Sequence, residues 1–159
     1  MIKTNNLTLR TLELADANEM HNYLTQANVC RMAGINPSKT KEQSIEFVKI
    51  LLKEKAWVIQ KGGRVIGNIV IFKNPSDQAQ GEIGFMLNED NWHHGYMQEA
   101  LGALLKSDEF FFNEILAVVY PENIASIKTL EKVGFEFETL IPKSVLDPQI
   151  KVIYKLEKS

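Results

Sequence analysis

The run Gly81 to Ala100, GEIGFMLNEDNWHHGYMQEA, constrains the fold more than any other stretch of the chain. Its first half alternates, with Glu82, Gly84 and Met86 on one side and Ile83, Phe85 and Leu87 on the other, which is the period of a strand. A polar segment containing Gly95 follows. Leu101, Leu104, Leu105 and Phe112 then form the apolar stripe of what reads as the longest helix, from about Gly95 to Phe112. The first N–H groups of such a helix have no intrahelical partner, and the aligned peptide dipoles place about half a positive charge at the same end. A strand that hands over to a helix through a glycine loop is therefore suited to holding a phosphate.

The rest of the chain alternates strands with helices and contains no repeat, low-complexity tract or glycine- or proline-rich linker, so the expectation is one compact α/β domain over residues 1–159. Leu7 and Leu9, with Ile2, mark a first strand. Asp16 with Glu19 reads as a helix start, followed by Ala17, Met20 and Leu24 on one face. Asn28 to Lys39, with Gly34 and Pro37, reads as a loop, after which Thr40 and Gln43 have capping-box spacing ahead of Ile45, Val48, Leu51 and Leu52. The strands at Trp57–Gln60 and Arg64–Ile66 flank Lys61-Gly62-Gly63, where paired glycines permit a tight hairpin, and the second runs on to Phe72. Asn74 to Gln80 reads as a second turn. Ile115 to Tyr120 is a strand covered on both faces, and Phe137–Ile141 with Ile150–Leu156 supply two more.

The net charge of −2 and pI near 5.9 give no basic footprint for nonspecific nucleic-acid binding. Met1 to Asn6 lacks the apolar core of a secretory signal, and no run approaches the roughly 18 apolar residues of a membrane helix, so a cytoplasmic protein without a membrane partner is expected. Cys30 is the only cysteine, which excludes an intramolecular disulfide and favours a small buried side chain. His93-His94 are adjacent residues that point apart and have no cysteine or third histidine beside them, so no metal site is assigned.

A second junction narrows the reading. After Ile115–Tyr120 come Pro121-Glu122-Asn123 and a short helical pattern to Val133, ended by Gly134-Phe135. Taken with Leu7-Thr8-Leu9-Arg10 and Asp16, with Glu82-Ile83-Gly84-Phe85, with Trp92, Gly95-Tyr96 and Glu99-Ala100, and with Asn123, Ser126 and Glu131-Lys132, this pair resembles the GNAT superfamily of acetyl-CoA-dependent acetyltransferases. It is most similar to the branch that acetylates the N-terminal amino groups of ribosomal proteins. The resemblance implies a central mixed, largely antiparallel, splayed sheet of about seven strands flanked by about four helices.

It also implies a division of labour. Backbone amides from Trp92 through His93, His94, Gly95 and Tyr96 to Met97 would cradle the pyrophosphate of acetyl-CoA, although the family's usual small residues are replaced by His93 and Met97. Backbone groups of Met86 and Leu87 would hold the pantetheine arm and polarise the thioester. Glu82 would deprotonate or orient the amine, and Asn123, Ser126 and Lys128 would contact the cofactor. Many relatives carry a tyrosine as thiolate acid where this chain has Leu130, so Ser126 inherits that role, with Tyr96 and Tyr120 in reserve. No Cys–His or Ser–His pair signals an acyl-enzyme, so direct attack by the amine is expected. The acceptor is a protein N-terminus or a small amine, with Arg31 and Lys39 in the bordering loop favouring one that carries a carboxylate or carbonyl, and the sequence allows a homodimer. A catalytically silent acyl-CoA-binding module is the competing reading. A dinucleotide oxidoreductase is disfavoured, because Gly95 stands alone where three closely spaced glycines are needed.

Overall fold

The computed structural model describes residues 1–158. Its framework is an eight-stranded sheet made of β1 (Ile2–Lys3), β2 (Thr8–Thr11), β3 (Lys55–Lys61), β4 (Arg64–Asn74), β5 (Asp77–Leu87), β6 (Glu114–Val119), β7 (Glu136–Ile141) and β8 (Lys151–Glu157). The order across the sheet is β1-β2-β3-β4-β5-β6-β8-β7. Every neighbouring pair is antiparallel except β5 and β6, which run parallel and pair only from Gln80↔Glu114 to Glu82↔Leu116. Beyond Glu82 the two strands part, and one edge of β5 is left open as far as Leu87. The sheet is therefore mixed, largely antiparallel and splayed, with one strand more than the expected seven because the N-terminal segment folds back as the pair β1 and β2.

Five α-helices flank it: α1 (Ala17–Leu24), α2 (Ala27–Ala33), α3 (Lys41–Leu51), α4 (Tyr96–Lys106) and α5 (Ile124–Lys132). The helix beyond the four expected is α2, which lies in the segment read as a loop. It is too short to show a stripe, and only Val29 and Cys30 are buried. Its end is nevertheless marked by Gly34, which adopts φ +73. The longest-helix reading also overran: α4 stops at Lys106, where Ser107 turns extended, while Phe110 and Phe112 still reach the core from the following loop. The capping box at α3 forms in modified shape. Thr40 Oγ1 accepts from the Gln43 amide at 3.2 Å, and Gln43 Oε1 accepts from Lys39 N rather than from the cap residue. Gly62 and Gly63 take φ of +57 and +78, which is the two-residue hairpin turn expected from the glycine pair.

The strand alternation read over β5 sorts the core. Ile83 joins Leu101, Leu104, Ile115 and Leu130 on the face covered by α4 and α5, whereas Met86 joins Met20, Tyr23, Cys30 and Val48 under α1, α2 and α3. Asp16 does not cap α1 through its side chain. Its carboxylate is gripped by Arg10 at 2.9 and 2.6 Å and accepts from Glu13 N, tying the end of β2 to the start of the helical layer. Among the described residues no helix is long and apolar enough to cross a membrane.

Candidate active site

Where β5 and β6 separate, two adjoining cavities open. The first is a groove of about 310 Å³ between the loop before α4 and the first turns of α5. The second, of about 180 Å³, lies beneath α2 and α3 on the face that carries Glu82, Gly84 and Met86. Met32, Phe85, Met86, Asn123 and Ser126 line both, so the cavities meet at the split in the sheet.

One wall of the groove presents main-chain donors. The first helical hydrogen bond of α4 runs from Glu99 N to Gly95 O at 3.0 Å, so the amides of Tyr96, Met97 and Gln98 have no protein partner among the described residues. Gly95 reaches φ +74, and a Cβ built on it would meet nothing within 4 Å, so the backbone there is open to an approaching group. His93 takes φ +67 and is the one non-glycine residue in the left-handed region among the described residues. Left-handed residues at two nearby positions turn successive N–H groups toward a common point, which is a concave anion nest. His93, standing where the family usually has a small residue, thus holds a positive φ that costs a residue with a Cβ some strain. Met97 is 8% exposed and contributes to the core, so its bulk is directed mainly into the fold rather than across the groove.

The other predicted groove residues distribute unevenly. Trp92, His93, Gly95, Tyr96, Asn123, Ser126 and Lys128 line the groove, together with Lys132. His94 does not, and instead stacks on Tyr96 with ring centres 5.2 Å apart. Trp92 is fixed by its indole N–H, which donates to Leu87 O at 2.8 Å. Asn123 caps α5, its Oδ1 accepting from Ser126 N at 3.2 Å, and this aims the N-terminus of that helix at the split. Strand parity settles which β5 amides are free. Asn88 N bonds Ile66 O on β4, so Met86, two residues earlier and paired with Asn68, also turns its backbone to β4, while Phe85 and Leu87 turn theirs to the open edge. Met86 therefore enters the site through its side chain, not through its amide.

In the second cavity Glu82 is the only charged lining residue among those described. Glu82 is exposed by surface area, and the partial desolvation that its cavity-side position imposes raises its carboxyl, with the charge of Lys151 pulling it part of the way back. Of the tyrosines held in reserve as proton donors, Tyr96 lines the groove, whereas Tyr120 lines neither cavity and packs its hydroxyl against Gly34. Arg31 and Lys39 line neither. Sequence reasoning missed Val29 and Met32, because α2 was not recognised, and also Gln98 and Thr129, whose only signal was their place in the first turns of helices already identified.

Residues 6–136 match the family model described as acetyltransferase (GNAT) domain. The uncharacterized N-acetyltransferase p20 of Bacillus licheniformis is 28% identical over 148 residues, an alignment that covers 87% of this chain and 83% of that protein. A GNAT-family acetyltransferase from Bacillus anthracis superposes with a TM-score of 0.85 at 25% identity over 98% of this chain and 97% of that one. The ribosomal L7/L12 α-N-protein acetyltransferase RimL, solved with coenzyme A, shares the fold with a TM-score of 0.82 at 15% identity, covering 97% of this chain and 95% of the other.

Proposed function

The chain belongs to the acetyltransferase (GNAT) domain family, and from that premise we propose that residues 1–159 form a single domain that transfers the acetyl group of acetyl-CoA to a primary amine by direct attack in a ternary complex. The observation that carries this reading is the meeting of the two cavities at the split between β5 and β6. One has free helix-terminal amides suited to a diphosphate, and the other has a carboxylate suited to an amine. That RimL was solved with coenzyme A, and acts on a protein α-amino group, supports both halves.

In this reading the amides of Tyr96, Met97 and Gln98 receive the diphosphate, with Lys128 beside them. The amides of Phe85 and Leu87, on the open edge of β5, hold the pantetheine arm and donate to the oxygen that gains charge as the carbonyl is attacked. The new N–C bond forms as the C–S bond breaks. Glu82 takes the ammonium proton, directly or through a water, and its raised carboxyl is a better base than an ordinary glutamate. Ser126, at the junction of the cavities, gives its hydroxyl proton to the leaving sulfur and takes in its place the second proton that the attacking nitrogen sheds as the amide forms, so the hydroxyl is restored. Nothing in this scheme requires a metal.

Calorimetric titration with acetyl-CoA, followed by mass-spectrometric screening of amines and peptides for a 42-dalton gain, about the mass of one acetyl group replacing a proton, tests it. Saturable binding with transfer supports the reading, binding without any product identifies a silent carrier, and absence of binding rejects both.

A further inference from the structure

Asn68 sits on β4 opposite Met86 and lines the second cavity, yet only 1% of its surface is exposed. Tyr23, fully buried on α1, donates its hydroxyl proton to Asn68 Oδ1 at 2.6 Å, and this is the only hydrogen bond of that hydroxyl among the described residues. A buried hydroxyl proton needs an acceptor, so the bond fixes which way the amide is turned. The two protons on Nδ2 are left without a protein partner among the described residues, although Nδ2 is not sealed from the cavity. A donor held in that way and given nothing to donate to is a recognition element, since burying it unused would cost more than its bond to Tyr23 returns.

The lining defines what it would recognise. Met32, Phe47, Leu51, Val70, Phe72 and Ile83 make the walls apolar, and Gly84 keeps the floor open where a Cβ would meet Val70 at 3.4 Å. The one charge is the carboxylate side chain of Glu82, and no lysine or arginine lines the cavity. Lys151 acts on Glu82 from outside the lining, so an acceptor bearing a free carboxylate would bring a second negative charge into a cavity whose own walls hold no cation, whereas a neutral carbonyl oxygen meets the Asn68 N–H without that cost. A volume of about 180 Å³ is somewhat more than the roughly 150 Å³ that holds a benzene, so only the first residue of a longer chain would enter.

Resting on the acetyl-transfer reading, we infer that Asn68 is a specificity-determining residue whose amide N–H binds a neutral carbonyl next to the reacting amine, so that the acceptor is an α-amino amide or peptide N-terminus and not a free amino acid or plain alkylamine.

The test compares kcat/KM, corrected to the neutral amine, for L-alaninamide, L-alanine and sec-butylamine. The wild-type protein should prefer alaninamide to each of the others by about 100-fold, the scale on which a site loses a substrate that leaves its donor unpaired. Asn68→Asp keeps an acceptor for Tyr23 while removing the donor, and it should collapse the alaninamide to sec-butylamine ratio to within about threefold of unity. The double substitution Tyr23→Phe with Asn68→Leu removes both groups together, leaves nothing buried and unpaired, and should collapse the ratio equally. Equal rates on all three acceptors in the wild type, or a preference that survives both substitutions, overturns the assignment of Asn68 and leaves acetyl transfer standing. No turnover on any of the three, or on longer peptides, overturns the acetyl-transfer reading and this inference with it.

Discussion

At the scale of single residues, Glu82 carries two opposed consequences of one cause. Desolvation raises its carboxyl, with Lys151 opposing. The fold thus favours the protonated form. Its ionisation costs nothing below the unfolded value of about 4.3, begins to cost stability as pH rises through that value, and costs the full amount above the folded one. Because Glu82 is exposed and solvent screens the penalty, Glu82→Gln is expected to leave thermal stability at pH 7 unchanged or only slightly higher, with any gap closing in acid, while kcat at neutral pH falls about 100-fold or more and the acid limb of the rate profile disappears. Melting curves across pH and a pH–rate profile on one protein preparation check both halves, and an unchanged acid limb removes Glu82 from proton transfer. That a carboxylate belonged here was legible from the alternation Glu82, Gly84, Met86, because period two fixes the face. Its environment was not, since the helices on that face, α1 to α3, come from residues 17–51. His93 shows the reverse. Its left-handed φ of +67 was foreseeable only from the loop type, because nothing in a histidine side chain requires it.

At the scale of elements, the position of α4 rests on a contact remote in sequence. Glu99, in its first turn, accepts from Thr4 Oγ1, from Asn6 N at 3.0 Å and from Asn6 Nδ2 at 2.9 Å, which pins the helix to the turn between β1 and β2. Burial pushes this carboxyl upward, but the hydrogen bonds from Thr4 and Asn6 outweigh it, and the net direction is below the ordinary carboxylate range. A depressed carboxyl contributes stability that is present above its unfolded value and lost as pH falls through the folded one. Glu99→Ala should lower the unfolding free energy at pH 7 by about 1–3 kcal/mol, with a smaller loss below pH ~4. Urea titrations at the two pH values check this, and a loss that is the same at both would assign the effect to packing and not to charge. A carboxylate in a first turn suits the helix dipole, but the sequence does not show its partners Thr4 and Asn6, because the turn between β1 and β2 reaches Glu99 only through the topology. Long elements with a stripe or an alternation were readable. α2 was not, because two turns with Val29 and Cys30 buried make no period, and Gly34 is a stop signal without a visible start.

At the scale of the whole molecule, the pattern of strands and helices indicated a mixed splayed sheet, yet no local signal shows that β5 and β6 are neighbours or that they share only three paired positions. That short parallel contact is the seam between two halves of the sheet, one made of β1 to β5 and the other of β6, β8 and β7. It is also tightly packed. A Cβ on Gly81 would come within 2.5 Å of Ile71 Cγ2 and 3.2 Å of Phe112 Cε1, so at the middle of the three paired positions any larger residue would have to displace those side chains. The groove lies across this seam, with α4 following β5 and α5 following β6, so a ligand that engages the N-termini of both helices ties the halves together. Binding to the folded state alone adds about 2.7 kcal/mol at a ligand concentration of about 100 Kd. For a chain of this length that is a rise in melting temperature of roughly 5–10 °C. Acetyl-CoA should produce it, and adenosine without the diphosphate and pantetheine should not. Hydrogen exchange should then slow on both sides of the seam, in Phe85 to Leu87 and in the first turn of α5. Protection confined to α4 would mean that the ligand rests on one half only, and the split between β5 and β6 would lose its place as the point where the acetyl group is presented.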